Sequence, residues 1–456
     1  MIDTKIEFLE NELNEVIRLF EGGENLNVKH RLKESEGKLV NTITVNGQVF
    51  AYGNLVPVFK DEIERKRLIK RYAKLSVYKA LSKTFNKDFP WGALTGIRPT
   101  KLAYKQIEET GDFEEFFLDV MKVSEQKTLL TKKVIESQKN IYEKNDKNTD
   151  FFVFIPFCPS RCKYCSFISA DVKSARKHID EYVDALIDEI NYSARFIKDL
   201  KSIYVGGGTP VALSNEHLDR VLSAISNINT GVEFTVEAGR PDAINKENLA
   251  ILKKHGVTRI CINPQTFSNK TLELLGRNHT AEDVVEKYNL AKNDFIINMD
   301  LIAGLDGESF LDFKASLDKA IELSPDNITV HTLCIKKGSK LAETENRLAG
   351  QEVEKMVDYA NNALIDAGYN PYYLYRQKYM AGNLENVGYS KKGKECVYNV
   401  NVMEEISSTV ACGANAISKR VFDGGERIER QASPKDVPTY LSKLDKIKEE
   451  KSKLFS

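Results

Sequence analysis

The chain has 456 residues, 42% hydrophobic and 29% charged, with 66 Lys+Arg against 66 Asp+Glu. That length exceeds one ordinary core and predicts roughly two to three domains, and the neutral balance argues against a nucleic-acid partner. There is no apolar run of about 18 residues, and the N-terminus is polar, without a signal-peptide core, so the expectation is a cytoplasmic protein with no membrane segment.

Residues 1–145 read as an N-terminal α/β accessory domain. Apolar side chains at mixed spacing fill 6–20 and stop at Gly22-Gly23, and 39–45 and 48–52 alternate around Asn46-Gly47, a hairpin turn signal. Over 61–85, Ile69, Tyr72, Leu75, Tyr78, Leu81 and Phe85 recur every three or four positions, which predicts an amphipathic helix. Its other face carries Arg65, Lys66, Arg67, Lys70, Arg71, Lys74, Lys79 and Lys83, either a solvated face or a surface for RNA or phosphate. A Gly/Pro-punctuated loop at 90–101 holds the only tryptophan, Trp91, and a charged helix over 124–143 leads to a polar linker at 144–148.

Residues 146–335 change pattern. Strand-like runs at 151–155, 202–205, 232–236, 258–262, 295–301 and 327–333 alternate with helical stretches near 174–198, 214–227, 245–255, 281–293 and 309–323. This βα alternation predicts an α/β fold with a parallel sheet, wound as a barrel or part-barrel or spread open. In either form the chemistry belongs at the C-terminal ends of the strands. After the first strand comes Cys158, Cys162 and Cys165, a C-x3-C-x2-C loop. Thiolates are soft ligands for iron–sulfur clusters or zinc, and three close ones without a fourth suggest a cluster with one open iron. Structural zinc with His178 as fourth ligand is the alternative. The other four cysteines, Cys261, Cys334, Cys396 and Cys412, read as packed thiols.

Later strand ends are polar as well. The second closes in Gly206-Gly207-Gly208-Thr209-Pro210, where glycines let backbone approach a ligand. The third ends in Glu237, the fourth in Asn263-Pro264-Gln265 and the fifth in Asp300, with Arg277 beside Asn278 and His279. His331, at the sixth strand end, reads equally as a site residue or a core histidine. Residues 336–456 form a C-terminal α+β extension, with a helix over 351–366, a strand over 369–375 and a final amphipathic helix over 436–456.

The motif from Ile155 to Phe167, with Gly207-Gly208-Thr209-Pro210, Gln265-Thr266-Phe267 and Asp300-Leu301-Ile302, resembles the radical SAM oxygen-independent coproporphyrinogen III oxidase family. Val236-Glu237-Ala238-Gly239-Arg240-Pro241, Ile262-Asn263-Pro264-Gln265, the loop at 91–101, the stretch 372–378 and Asn386-Val387-Gly388-Tyr389 are similar to its HemZ-type, coproporphyrinogen dehydrogenase-like branch. The resemblance implies a radical SAM partial (β/α)6 barrel core. It implies that Cys158, Cys162 and Cys165 hold a [4Fe–4S] cluster whose open iron takes S-adenosyl-L-methionine, which one electron cleaves to a 5′-deoxyadenosyl radical. By motif position Gly207, Gly208, Thr209 and Glu237 contact the methionine end of SAM, and Tyr164 packs on the adenine side. Gln265, Arg277 and Asp300 match further SAM contacts, including those to a second SAM.

The implied reaction is oxidative decarboxylation of two coproporphyrinogen III propionates to vinyls, giving protoporphyrinogen IX in oxygen-independent haem biosynthesis. Its partners are a porphyrinogen substrate and a low-potential donor of flavodoxin or ferredoxin type. Arg376, Lys378 and Arg420 are candidates for the propionates by charge. The best-studied branch has tyrosine and histidine where this chain has Phe152 and Phe154, and a fourth cysteine where it has Phe167. A related branch without that cysteine is a haem chaperone, which stands as an alternative function. A radical SAM enzyme acting on another substrate, such as RNA, is a third.

Overall fold

The computed structural model describes residues 2–456 except 21, 36, 57, 58, 60, 97, 166–169, 335–349 and 378–379. Phe167 and Lys378 therefore lie outside the described residues. The chain divides into two compact units, Met1–Lys132 with Gly382–Leu384, and Lys133–Ala381 with Glu385–Ser456.

In the first unit, helix α1 (Glu7–Ile17) buries Leu9, Leu13, Val16 and Ile17, a stripe at helical spacing that the mixed sequence pattern hides. Strands β1 (Val28–Ser35), β2 (Lys38–Val45) and β3 (Gln48–Leu55) form an antiparallel meander. The β2–β3 turn is Asn46-Gly47, both at positive φ, as the sequence predicts. The hairpin partner β1 is an addition to the sequence reading.

Helix α2 (Glu62–Phe85) starts where the Asp61 side chain accepts from the Glu64 amide at 2.7 Å. Its basic face is largely engaged inside the unit. Lys70 and Lys74 pair with Glu12, Arg65 with Glu34 and Glu62, and Arg71 stacks over Phe116. Trp91 is fully buried, followed by α3 (Pro99–Thr110).

The division of units falls inside α4 (Glu125–Gln138), upstream of the linker expected at 144–148. The second unit then lays down β4 (Asn148–Ile155), α5 (Val172–Ser193), β5 (Asp199–Gly207), α6 (Asn215–Ser226), β6 (Glu233–Gly239), α7 (Lys246–Lys254) and β7 (Arg259–Ile262). A short helix α8 (Asn269–Leu274), absent from the sequence reading, precedes α9 (Ala281–Ala291), β8 (Ile296–Ala303), α10 (Phe310–Leu323) and β9 (Asn327–Thr332). The six strands from β4 to β9 are adjacent and parallel in chain order, as the alternation predicts.

The remaining elements are α11 (Gly350–Asp366), β10 (Asn370–Tyr375), β11 (Asn386–Ser390), α12 (Val397–Glu404), β12 (Ser408–Cys412), β13 (Ile417–Phe422), β14 (Arg427–Ala432), α13 (Val437–Ser442) and α14 (Leu444–Phe455). They do not form a separate body. Strand β12 pairs in parallel with β4, and β11 pairs antiparallel with β9, giving one sheet in the order β10-β11-β9-β8-β7-β6-β5-β4-β12-β13-β14. The C-terminal segment therefore shares hydrogen bonds with both edges of the core. The tail forms two helices rather than one, because Lys443 leaves helical geometry at φ −117, ψ 14.

Strand β4 shows how the sheet is sided. Phe151, Val153 and Ile155 pack with Ile179, Tyr182, Val183 and Leu186 of α5, so the alternate residues Phe152 and Phe154 point to the opposite face. Burying each such side chain contributes about 1.5–3 kcal/mol, which fixes the register, since a one-residue slip would reverse every side chain. Among the described residues no helix is long and apolar enough to cross a membrane.

Candidate active site

A cavity of about 420 Å³ opens at the strand ends of the second unit. Every residue that the resemblance assigns to the cluster or to SAM lies on its wall: Cys158, Cys162, Tyr164, Cys165, Gly207, Gly208, Thr209, Glu237, Gln265, Arg277 and Asp300. The strands supply them at period two. Asn298, Asp300 and Ile302 of β8 face the cavity beside Thr329 and His331 of β9, in the register Asp300 to Thr329 and Ile302 to His331.

The cysteine loop is braced on three sides. The Lys163 amide donates to the Leu275 carbonyl at 3.0 Å, and the Thr209 hydroxyl lies 3.6 Å from Cys158 Sγ. Arg240 reaches Cys162 Sγ at 3.5 Å. Between the cysteines, Tyr164 packs with Leu275, Ile302 and Leu305, and its hydroxyl accepts from Arg277 Nη1 at 2.8 Å. Burial pushes the Tyr164 phenol up, and Arg277 counters part of that shift.

The glycine turn is dictated by contact. A Cβ on Gly208 would stand 2.4 Å from the Phe157 carbonyl oxygen, and one on Gly207, at φ +105, would meet the Phe154 ring at 2.8 Å. The Gly208 and Thr209 amides close this turn onto the Ile155 and Phe157 carbonyls at 2.7 Å each. The backbone therefore passes the cysteine loop at a distance only glycine permits.

Glu237 accepts from Tyr204 Oη at 2.5 Å and from the Gly207 amide at 3.2 Å. Burial raises its pKa first, and these two donors pull it back. Asp300 accepts from Asn263 Nδ2 and Asn298 Nδ2 at 2.7 Å each, and His331 Nε2 stands 3.7 Å from its Oδ2. The Gln265 amide, at positive φ, continues the sheet by donating to the Asp300 carbonyl at 2.8 Å. Arg277 is held by the Gly239 and Asn263 carbonyls at 3.3 and 2.7 Å.

Tyr204, Tyr372, Tyr373 and Tyr375 make part of the wall aromatic. Behind Tyr204, Tyr398 stacks on it with centroids 4.3 Å apart and Phe152 stacks on Tyr398 at 5.9 Å. Sequence reasoning did not single out Tyr204, Arg240, Arg259, Asn298 or Tyr375. Strand alternation applied back from Gly206 and Asp300 is the signal that reaches Tyr204 and Asn298.

Two expectations need correction. Arg376 is buried but off the cavity wall, and Arg420 caps the end of α14 by donating to the Leu454 carbonyl at 2.8 Å. Position in the fold, rather than charge, decides where those two arginines point: Tyr375 and Gln377 on either side of Arg376 line the cavity, and Arg420 meets the end of α14. Cys261, Cys334 and Cys396, read as packed thiols, do line the cavity, with Cys396 Sγ donating to Glu233 at 3.2 Å. Cys412 does not.

The donor set fits an iron–sulfur cluster. Three soft sulfurs on one short loop, all on the cavity wall, match thiolate preference. Among the described residues no three His, Cys, Asp or Glu side chains draw together tightly enough for a single metal ion. A four-iron cluster asks its sulfurs to stand farther apart. His178, the fourth ligand of the zinc alternative, sits on α5 beside Glu181 and is not part of the wall.

The profile of the Radical SAM superfamily matches residues 152–320. Over 440 residues the chain is 34% identical to the oxygen-independent coproporphyrinogen-III oxidase-like protein HemZ of Bacillus subtilis, covering 90% of this chain and 87% of that one. It is 36% identical over 193 residues to the haem chaperone HemW of Bacillus subtilis, covering 41% of this chain and half of the chaperone. The solved structure of Escherichia coli coproporphyrinogen III oxidase, HemN, a radical SAM enzyme, shares the fold at a TM-score of 0.55 and 21% identity, covering 71% of this chain and 73% of that one.

Proposed function

Because this chain belongs to the radical SAM superfamily and, within it, to the HemZ-type branch of the oxygen-independent coproporphyrinogen III oxidase family, we propose that it oxidatively decarboxylates coproporphyrinogen III propionates to vinyls. Its family uses a [4Fe–4S] cluster and SAM, which together supply a one-electron reduction and a hydrogen-abstracting radical. Cys158, Cys162 and Cys165 would hold the cluster. Glu237, fixed by Tyr204 and Gly207, would take a positively charged group of SAM, and the tight turn at Gly207 and Gly208 would let backbone reach its polar end. Tyr164, clamped by Arg277, would supply a flat apolar face for the adenine. Asp300 and Gln265 would complete the contacts on the far side. The residues' part is to orient these groups and keep water out, which the aromatic lining of Tyr204, Tyr372, Tyr373 and Tyr375 supports.

The observation that carries this reading is the convergence of the three thiols with Tyr164, Arg277 and the six strand-end residues on one cavity. The protein would work in the cytoplasm with a low-potential electron donor. A second reading, a haem chaperone that retains the cluster, is favoured by the charge of the wall. Four propionates call for cations, yet Arg240, Arg259 and Arg277, the arginines on the described wall, are all engaged within the protein.

Anaerobic incubation of the reconstituted protein with coproporphyrinogen III, SAM and a reductant tests the choice. We expect protoporphyrinogen IX and 5′-deoxyadenosine. Stable haem retention without any vinyl product would instead assign the chaperone. Loss of bound iron in Cys158→Ala is expected under both.

A further inference from the structure

Directly behind Cys162 lies a contact that the SAM-binding residues do not use. Arg240 follows β6 and is buried, 4% exposed. Its Nε and Nη2 fork onto Asp242 at 2.9 and 2.7 Å, while Nη1 donates to the Ser160 carbonyl and hydroxyl at 3.2 and 2.9 Å and to Cys162 Sγ at 3.5 Å. The same guanidinium also feels the sulfur of Cys158. A guanidinium keeps its charge at any working pH.

The neighbours define how much of that charge is felt. Asp242 opposes it through the bidentate bridge. His279 is buried alongside, with neither ring nitrogen partnered. Burial first, and then the charge of Arg277, bring its pKa down to about 4, so it is neutral and adds nothing. Arg277 itself is turned to Tyr164 and backbone carbonyls. Of these groups, only Arg240 touches a cysteine sulfur.

We propose that Arg240, through Nη1 on Cys162 Sγ, sets the reduction potential of the cluster bound there, and that Asp242 limits how strongly it does so. The inference rests on Cys162 being a cluster ligand. When the low-potential donor gives up one electron, the cluster gains one negative charge and no proton moves. A cation and an N–H donor on a ligand sulfur stabilise that added charge and raise the potential. Asp242 acts in the opposite sense. The pair therefore holds the potential between two limits, which matters because the cluster must accept an electron and still be reducing enough to cleave a sulfonium.

The test is an EPR-monitored redox titration of the reconstituted holoprotein, with iron content measured on the same samples. Arg240→Gln should lower the reduced-to-oxidised ratio at a fixed potential about tenfold, a downward shift of about 59 mV for a one-electron couple. Asp242→Asn should shift it upward, with full iron in both. A role in loop packing alone would lower iron content in both variants, or move both potentials the same way, and either outcome overturns the inference. Unchanged potentials in both variants overturn it as well. If Arg240→Gln does not take up its cluster, Asp242→Asn decides the matter by shifting upward or not. Cys162→Ala separates the two claims: full iron there would reject the ligand assignment, whatever the arginine does.

Discussion

The C-terminal helix is tied to the core by a buried ion pair whose removal should be costly. Lys451 and Glu189 are both fully buried, with Nζ 2.7 Å from Oε1. Nζ also donates to Ser193 Oγ at 2.9 Å and lies 3.6 Å from Cys412 Sγ. Oε2 of Glu189 accepts from the Gly413 amide at 2.8 Å and from Tyr440 Oη at 2.6 Å. Lys451→Met keeps the apolar stem and leaves a carboxylate in the interior without its cation. Breaking one side of a buried pair costs about 3–5 kcal/mol.

At about 1.5 °C per kcal/mol for a unit of this size, the unfolding midpoint should fall by roughly 4–8 °C. The double variant Lys451→Met/Glu189→Gln removes the stranded charge, keeps a carbonyl oxygen to accept from Tyr440 and Gly413, and should recover more than half of the loss. Thermal unfolding of the four proteins of this cycle, followed by circular dichroism, gives the coupling directly. A loss under 1 kcal/mol in Lys451→Met, or a double variant no better than the single, would refute the reasoning. The effect should reach the site, because Tyr182 Oη joins the Ala414 amide to the Phe154 carbonyl on β4, at 3.3 and 2.7 Å.

Two more outcomes follow from single groups. Asp150 is fully buried, and burial raises its pKa from 3.8 to about 6 despite hydrogen bonds from Ser202 and Asn401. Its folded-state value lies above the unfolded one, so its contribution is full below pH 3.8 and is lost as pH rises toward 6, by about 3 kcal/mol at 1.36 kcal/mol per unit. Asp150→Asn removes that loss, and its stability relative to the parent should climb between pH 4 and 6 in urea titrations; a constant difference would contradict the sign. Tyr204→Phe deletes the 2.5 Å bond to Glu237, a charged hydrogen bond of about 1.5–3 kcal/mol. SAM affinity measured by calorimetry should weaken by roughly 10–150-fold. Because Tyr204 lowers the Glu237 pKa, that carboxyl titrates higher in the variant, and affinity should start falling at a higher pH. A change under twofold would remove Glu237 from the site.

The sequence by itself determined the parts of this protein that depend on neighbours along the chain. Alternating apolar runs specified β4 to β9, because strand and helix periods are local properties. Asn46-Gly47 specified its hairpin, and the polar residues at Gly207, Glu237, Gln265 and Asp300 could be located once strands were counted. Their convergence follows from parallel order, which delivers all strand ends to one edge. Pairings between distant segments were not legible. Strand β12, whose Cys412 pairs with Val153 across 259 positions of chain, reads as an unremarkable short apolar run until its pairing is known.

 

Only the tertiary structure decided that this run joins the core sheet, that Arg376 and Arg420 turn away from the cavity, and that Tyr204 meets Glu237. The contact from Arg240 to Cys162 spans 78 residues, and the pair of Lys451 with Glu189 spans 262. Such contacts depend on how whole elements pack, since a side chain's direction follows from sheet twist and register rather than from its own neighbours. The chemistry at the strand ends was therefore written locally, while the groups that tune and brace it were set by the fold.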